Sequence, residues 1–259
     1  MNDLKEKINY YLPVIIFFIL ALIIWEMIVQ FLNIETWILP APTAIFAEIL
    51  ETRTLLVEHS LRTLYESIFG LTVSAAAGIL VGTVIFNFNI LERTVYPLMV
   101  ISQTVPIVVL IPLLVIWFGF GLMPKILIVI LACFFPVAVN TVDGLNTAVK
   151  DKINLLKAMG ASKWQIFTKV RIPTALPMIF SGLRISATYS VMAAVVAEWM
   201  GSDIGLGVFI VRSSNSYLTA RVFAGIALVS FFSILLFQSI TLLERLLIPW
   251  NNSNKEEIY

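Results

Sequence analysis

One cysteine, one histidine and few charges are spread over 259 residues. The cysteine, Cys133, excludes an intrachain disulfide and, set in an apolar run, reads as a buried, inert thiol. The histidine, His59, has no ligand residues gathered around it for a metal and reads as a solvated loop side chain beside Glu58. Charged residues are 13% of the chain, against roughly 25% in a soluble domain. A formal net charge of +1 gives neither the basic excess of a nucleic-acid binder nor an acidic tail. No Gly-x-x-x-x-Gly-Lys-Ser/Thr phosphate loop is present, and the apolar runs hold no paired carboxylates, Ser-His combination or metal-ligand cluster. A catalytic role is therefore not expected, and neither is a cofactor.

What is abundant is hydrophobic: 59% of the residues, with a mean hydropathy of +0.96. A bilayer core of about 30 Å takes about 20 helical residues, because lipid offers the backbone no hydrogen-bond partner. Six stretches reach that length: Leu12 to Leu32, Leu61 to Phe86, Val95 to Phe118, Pro124 to Val142, Met178 to Met200 and Val222 to Ile248. The first follows Lys5 and Lys7 but is long and lacks a small-residue cleavage site, so it reads as a retained helix rather than a signal peptide. The expected fold is an all-α integral membrane protein of about six transmembrane helices, one domain over residues 1–259.

Placing the N-terminus inside gathers Lys5, Lys7, Arg93, Lys150, Lys152, Lys157, Lys163, Lys169, Arg171, Arg245 and Lys255 on the cytoplasmic side. Arg53, Arg62, Lys125, Arg212 and Arg221 remain outside. That bias predicts a multi-pass protein of the cytoplasmic membrane with both termini in the cytoplasm. Trp37, Trp117, Trp199 and Trp250 fall near span ends, where an amphipathic ring anchors in the headgroups. The tail Asn251 to Tyr259 is polar and expected to fray.

Between the fourth and fifth spans, Asp143 to Pro177 is too long for a simple connector and carries six of the 17 lysines and arginines. Its periodicity predicts two short helices. Leu155, Leu156 and Met159 share one face of the first, and Trp164, Phe167 and Val170 one face of the second. Gly160 suits a left-handed turn ending the first helix. Ser162 and Gln165 have capping-box spacing for starting the second, and Pro173 and Pro177 are expected to end it before the fifth span. The product is a basic amphipathic hairpin with an uncovered apolar face. Periodicity alone favours equally a helix pair lying on anionic lipid and a docking site for a partner protein.

Within the spans, Ser102, Gln103 and Thr104 lie between Pro97 and Pro106, where a kink frees polar groups either to line a pathway or to hydrogen-bond another helix. Glu198 is an acid at membrane depth, read either as part of an outer gate or as a structural hydrogen bond near Trp199 and Gly201. Arg184, roughly 21 Å from Glu198 along one helix, reads as a snorkelling or interhelical anchor. Glu66 is placed to pair with Arg62. Gly70, Gly78 and Gly82, with Ser74 and its alanines, allow close helix approach in the core or at a dimer contact.

The run Leu155, Leu156, Lys157, Ala158, Met159, Gly160, Ala161, Ser162, closing with Ile172-Pro173 and Leu176-Pro177, resembles the EAA loop of binding-protein-dependent ABC permeases. It departs at the opening, where Asn154, Leu155 and Leu156 stand in place of Glu-Ala-Ala. Trp37-Ile-Leu-Pro40-Ala-Pro42, Ile111-Pro112-Leu113-Leu114, Trp117-Phe118-Gly119, Ala197-Glu198-Trp199-Met200-Gly201 and Gly205-Leu206-Gly207 resemble the branch serving nitrate, sulfonates, taurine, bicarbonate and thiamine precursors.

The resemblance implies a type I ABC importer core. It implies a homodimer of permeases around one pathway, a separate ABC ATPase that binds the ATP, and an extracytoplasmic substrate-binding protein. It also implies that the loop around Gly160 inserts into a groove of the ATPase, which breaks the tie with lipid. An ion-coupled secondary transporter is the rival reading, against which the near absence of acids in the central thirds of the spans counts.

Overall fold

The computed structural model describes residues 2–148, 150–200 and 202–250, with side chains at 12–148, 151–200 and 202–250. The readings made for Lys5, Lys7, Lys150, Gly201 and the tail Asn251 to Tyr259 fall outside these described side chains or residues.

The regular structure among the described residues is all helical: α1 (Asn2–Phe31), α2 (Pro42–Glu51), α3 (Arg53–Asn87), α4 (Asn89–Ser102), α5 (Ile107–Phe118), α6 (Leu122–Asn146), α7 (Lys150–Ala158), α8 (Lys163–Ile166), α9 (Ile172–Glu198), α10 (Leu206–Asn215) and α11 (Thr219–Leu247). Five continuous helical segments are long and apolar enough to cross a membrane, and α4 with α5 makes a sixth crossing if counted as one span. The third span is thus not the single helix expected over Val95 to Phe118: α4 and α5 meet at 97°. The expected kink is real but larger than a proline bend, because four residues, Gln103 to Pro106, leave the helical ladder altogether.

The helices sort into two compact units. In the first, residues 1–58 and 209–228, Glu26 of α1 accepts from the backbone N–H (3.1 Å) and hydroxyl (2.8 Å) of Thr43 at the start of α2. A carboxylate there satisfies an orphan N–H and complements the positive end of the helix. Arg221 pairs with Glu48 at 2.8 Å, and the Thr219 hydroxyl donates to Trp37 O.

The second unit, residues 59–208 and 229–259, has α6 and α9 at its centre. Val129, Cys133 and Val137 of α6 and Ala187, Val191 and Ala194 of α9 are sealed from solvent. Cys133 and Ser186 exchange hydrogen bonds there, Sγ to Ser186 O and Oγ to Cys133 O. On the other side α3 packs against α6 through its small residues. A Cβ on Gly78 would stand 2.9 Å from Val137 Cβ, and one on Gly82 would stand 2.8 Å from Ala138 O. The small-residue stripe therefore serves close packing within one chain. Arg184 and Glu244 form an ion pair between α9 and α11, the interhelical anchor read for Arg184.

Candidate functional site

The hairpin between α6 and α9 is built from rules that operate within a few residues. At the end of α7, Gly160 has φ +80°, a left-handed conformation that glycine adopts without a Cβ penalty. The Ala161 N–H reaches back to Leu156 O (2.9 Å) and the Gly160 N–H to Lys157 O (3.0 Å), so the last carbonyls of α7 are satisfied in the Schellman pattern. The next residue starts α8 with a full capping box: Gln165 N–H donates to Ser162 Oγ (3.2 Å) and Ser162 N–H to Gln165 Oε1 (2.7 Å). Two helix ends are closed in three residues without help from the rest of the molecule.

Packing then decides which side chains stay outside. Ile153, Ile166 and Ala148 are buried in a small core with Leu156, Ala161 and Val170 against them. Leu156 therefore turns inward, whereas the sequence periodicity grouped it with Leu155 and Met159. The uncovered apolar stripe is Leu155 (63% exposed), Met159 (74%) and Trp164 (70%). Lys157, Ala158 and Ser162 are exposed beside it.

The second correction lies at the root of the hairpin. Pro173 and Pro177 do not end a helix ahead of the span: α8 runs through a π turn, Phe167–Arg171, directly into α9. Pro173 sits in the first turn of α9, where its missing N–H is tolerated, and Pro177 lies inside the helix. Tip and span are one helical object, Lys163–Glu198, of 36 residues.

A second constellation occupies the opposite end of α9. Glu198 is fully buried. Its Oε1 accepts from the Thr63 hydroxyl of α3 at 2.7 Å, and its Oε2 from the Gly207 N–H in the first turn of α10 at 2.7 Å. The Leu206 N–H donates to Thr63 Oγ1 (2.9 Å) and the Gly205 N–H to His59 Nδ1 (2.8 Å). Three successive backbone N–H groups at the start of α10 are thus taken by side chains of α3 and α9. Gly205, at φ +145°, is where the chain turns in, and a Cβ there would stand 2.1 Å from the Glu198 carboxyl carbon.

Alongside, Glu66 accepts from Arg62 (2.9 Å), as the sequence reading had it, and also pairs with Lys125 of α6 (3.5 Å). Lys125 donates to Ser202 Oγ at 2.6 Å. Glu66 Oε2, fully buried, has no hydrogen-bond partner among the described residues. His59 is not the solvated loop residue expected. It lies within α3, 6% exposed, with Nδ1 as an acceptor. The signal that would have found it is the polar stripe His59, Thr63, Glu66, Ser67, spaced as one face of an otherwise apolar helix.

The elbow residues stand apart from this clamp. The Ser102 hydroxyl donates to Met99 O and that of Thr104 to Ile101 O, each binding its own preceding turn, and Gln103 is exposed at the bend.

Residues 74–249 match the family described as "Binding-protein-dependent transport system inner membrane component". The chain belongs to that family. This permease is 37% identical over 236 residues to the formylaminopyrimidine transport permease protein ThiX of Halalkalibacterium halodurans, a match spanning 91% of the permease and 94% of the relative. It is 33% identical over 234 residues to the putative aliphatic sulfonates transport permease protein SsuC of Bacillus subtilis, spanning 89% and 84%.

Among solved structures, it resembles a chain of an amino acid ABC transporter crystallised with histidines: TM-score 0.62, 13% identity, 79% of the permease and 97% of that chain. A chain of the inward-facing MetNI methionine ABC transporter follows at TM-score 0.56 and 21% identity, covering 73% and 98%. The fold is that of type I ABC importer permeases. The permease is a multi-pass membrane subunit of an ABC importer, a class that works with an ATPase and a substrate-binding protein.

Proposed function

We propose that two copies of this permease pair in the cytoplasmic membrane of a prokaryote, both termini inside, and form the pathway for a small solute of the formylaminopyrimidine class. A separate ATPase binds and hydrolyses the ATP, and an extracytoplasmic binding protein delivers the solute. The observation that carries this reading is the self-capped hairpin, which exposes Leu155, Met159 and Trp164 and whose second arm, from Lys163, runs on as one helix into a membrane span. Such an apolar, basic knuckle is suited to a groove on the ATPase. The relationship to ThiX along nearly the whole of both chains supports the solute class.

In this reading, closure of the ATPase pair on ATP carries the hairpins with it, and the spans rock between inward-open and outward-open states. The permease responds only by the difference in affinity that the ATPase has for those two states. The elbow at Gln103 and Thr104 lines the pathway, because non-helical backbone at membrane depth is tolerated only against protein or water.

The test is reconstitution. Permease, its co-purifying ATPase and the binding protein in proteoliposomes take up formylaminopyrimidine only with ATP. Uptake driven by a proton or sodium gradient with the permease alone overturns the reading. A binding protein that retains a sulfonate in place of the pyrimidine overturns the solute class alone.

A further inference from the structure

The joint between hairpin and span has a weak turn in it. Within Phe167–Arg171 the ladder widens, and the Ile172 N–H bonds to Phe167 O, five residues back. Pro173 supplies the reason: it offers no N–H, and its ring crowds the carbonyl four residues earlier, at Lys169. A widened turn inside a helix is a place where the axis can re-aim, and such turns occur at functional sites. On its own it would let the hairpin swivel without moving α9.

Two side chains of this turn fasten it to neighbouring helices. Phe167 packs on a cluster of Leu145, Ala175 and Ile179 that also holds Phe86. Arg171 donates from Nη1 to Leu145 O at 3.4 Å, and its guanidinium lies 4.6 Å from the centroid of the Phe86 ring. Leu145 belongs to the last turn of α6, where carbonyls lack helical partners and a cation is favoured. Phe86 is next to last in α3. One planar side chain thus stacks on the end of α3 and caps the end of α6 while standing in the π turn below α9.

We propose that Arg171 is a positioning residue for transport, bolting the π turn to the ends of α3 and α6 so that hairpin displacement reaches three spans instead of dissipating in the widened turn. The proposal rests on the reading of the hairpin as the element driven by an ATPase. It adds the residue that carries the drive sideways.

The experiment uses the whole complex in proteoliposomes, with formylaminopyrimidine as the transported probe and ATP hydrolysis measured in the same vesicles. In Arg171→Ala the ATPase still co-purifies and hydrolyses within about twofold of wild type, while solute moved per ATP falls about tenfold, the scale of one ordinary coupling interaction. Arg171→Lys keeps a cation at the end of α6 without the flat stacking surface and recovers part of the ratio. Phe86→Leu removes the ring alone and falls in between.

An unchanged ratio in Arg171→Ala overturns the proposal. So do parallel losses of hydrolysis and uptake in all three variants, which would mark Arg171 as merely structural. If Arg171→Ala does not assemble, the other two variants carry the same test. Absence of ATP-dependent uptake in wild-type vesicles overturns the functional reading and the proposal with it.

Discussion

Thr63 and Glu198 are joined by a 2.7 Å hydrogen bond although 135 positions separate them in sequence. The threonine hydroxyl donates to the carboxylate and accepts from the Leu206 N–H, so one side chain relays between α9 and the start of α10. Glu26 does the same office for α2 through Thr43. In both units a short helix starts on a carboxylate borrowed from a longer one, and at Glu198, where the bonds are buried, this avoids the cost of leaving helix N–H groups unpaired.

Removing the Glu198 carboxylate leaves the buried Gly207 N–H without its acceptor and the Thr63 hydroxyl with only the longer bond to His59 O, 3.2 Å. Glu198→Ala is expected to cost about 1–3 kcal/mol, read as a lower Tm of the detergent-purified permease. Glu198→Gln retains one acceptor oxygen and loses less. Equal Tm values for wild type and Glu198→Ala would count against the clamp.

Among the described residues, Lys125 is the one buried cation beside Glu66, Arg62 being more exposed. Truncating one partner of a buried pair costs about 3–5 kcal/mol, because the other charge is stranded. Lys125→Met is expected to lower stability by less than that, because Glu66 keeps Arg62 at 2.9 Å, and Glu66→Gln in the same chain to restore part of the loss. A double-mutant cycle in Tm measures this, and additive losses would mean that the two side chains do not interact.

Gly205→Ala meets two obstacles, a φ of +145° and a Cβ 2.1 Å from the Glu198 carboxyl carbon. The strained backbone alone costs about 1–3 kcal/mol. The combination with Glu198→Ala removes the steric part, so the double variant is expected to lose less than the sum of the singles.

At the hairpin, Gly160→Pro removes the N–H given to Lys157 O and demands a φ near −65° where the chain has +80°. It is expected to abolish recovery of the ATPase on co-purification while membrane insertion is unchanged. Leu155→Ser with Met159→Ser, which leave the turn intact, should weaken that recovery as well. Normal association in all these variants would remove the hairpin from the coupling route.

What could be read from the chain follows the reach of the forces involved. Gly160, Ser162 and Gln165 were legible because helix caps are decided within about six residues. The pairing of Glu66 with Arg62 was legible at four residues for the same reason. His59 was not, since its partner Gly205 is 146 positions away and a polar side chain flanked by an acid looks solvated until the fold is known. Leu155 and Leu156 were grouped on one face, yet adjacent residues in a helix point about 100° apart, and the buried Ile153 and Ile166 drew only Leu156 inward. The elbow was legible as a kink from Pro97 and Pro106. Its 97° angle was not, because proline fixes where a ladder is interrupted and tertiary packing fixes how far the pieces turn.

In the reading of an ATPase-driven hairpin, the run from Lys163 to Glu198 works as a see-saw so long as the π turn at Phe167–Arg171 is held. At about 1.5 Å per residue its 36 residues measure about 54 Å, far more than a hydrocarbon thickness of about 30 Å. Gly182 offers it a fulcrum against α6, for a Cβ there would fall 2.8 Å from both Asn140 Cβ and Pro136 O. That fulcrum divides the beam into arms of about 28 Å and about 24 Å. Any tilt about it sends the Glu198 end in the direction opposite to the Lys163 end and almost as far, with no gearing up or down.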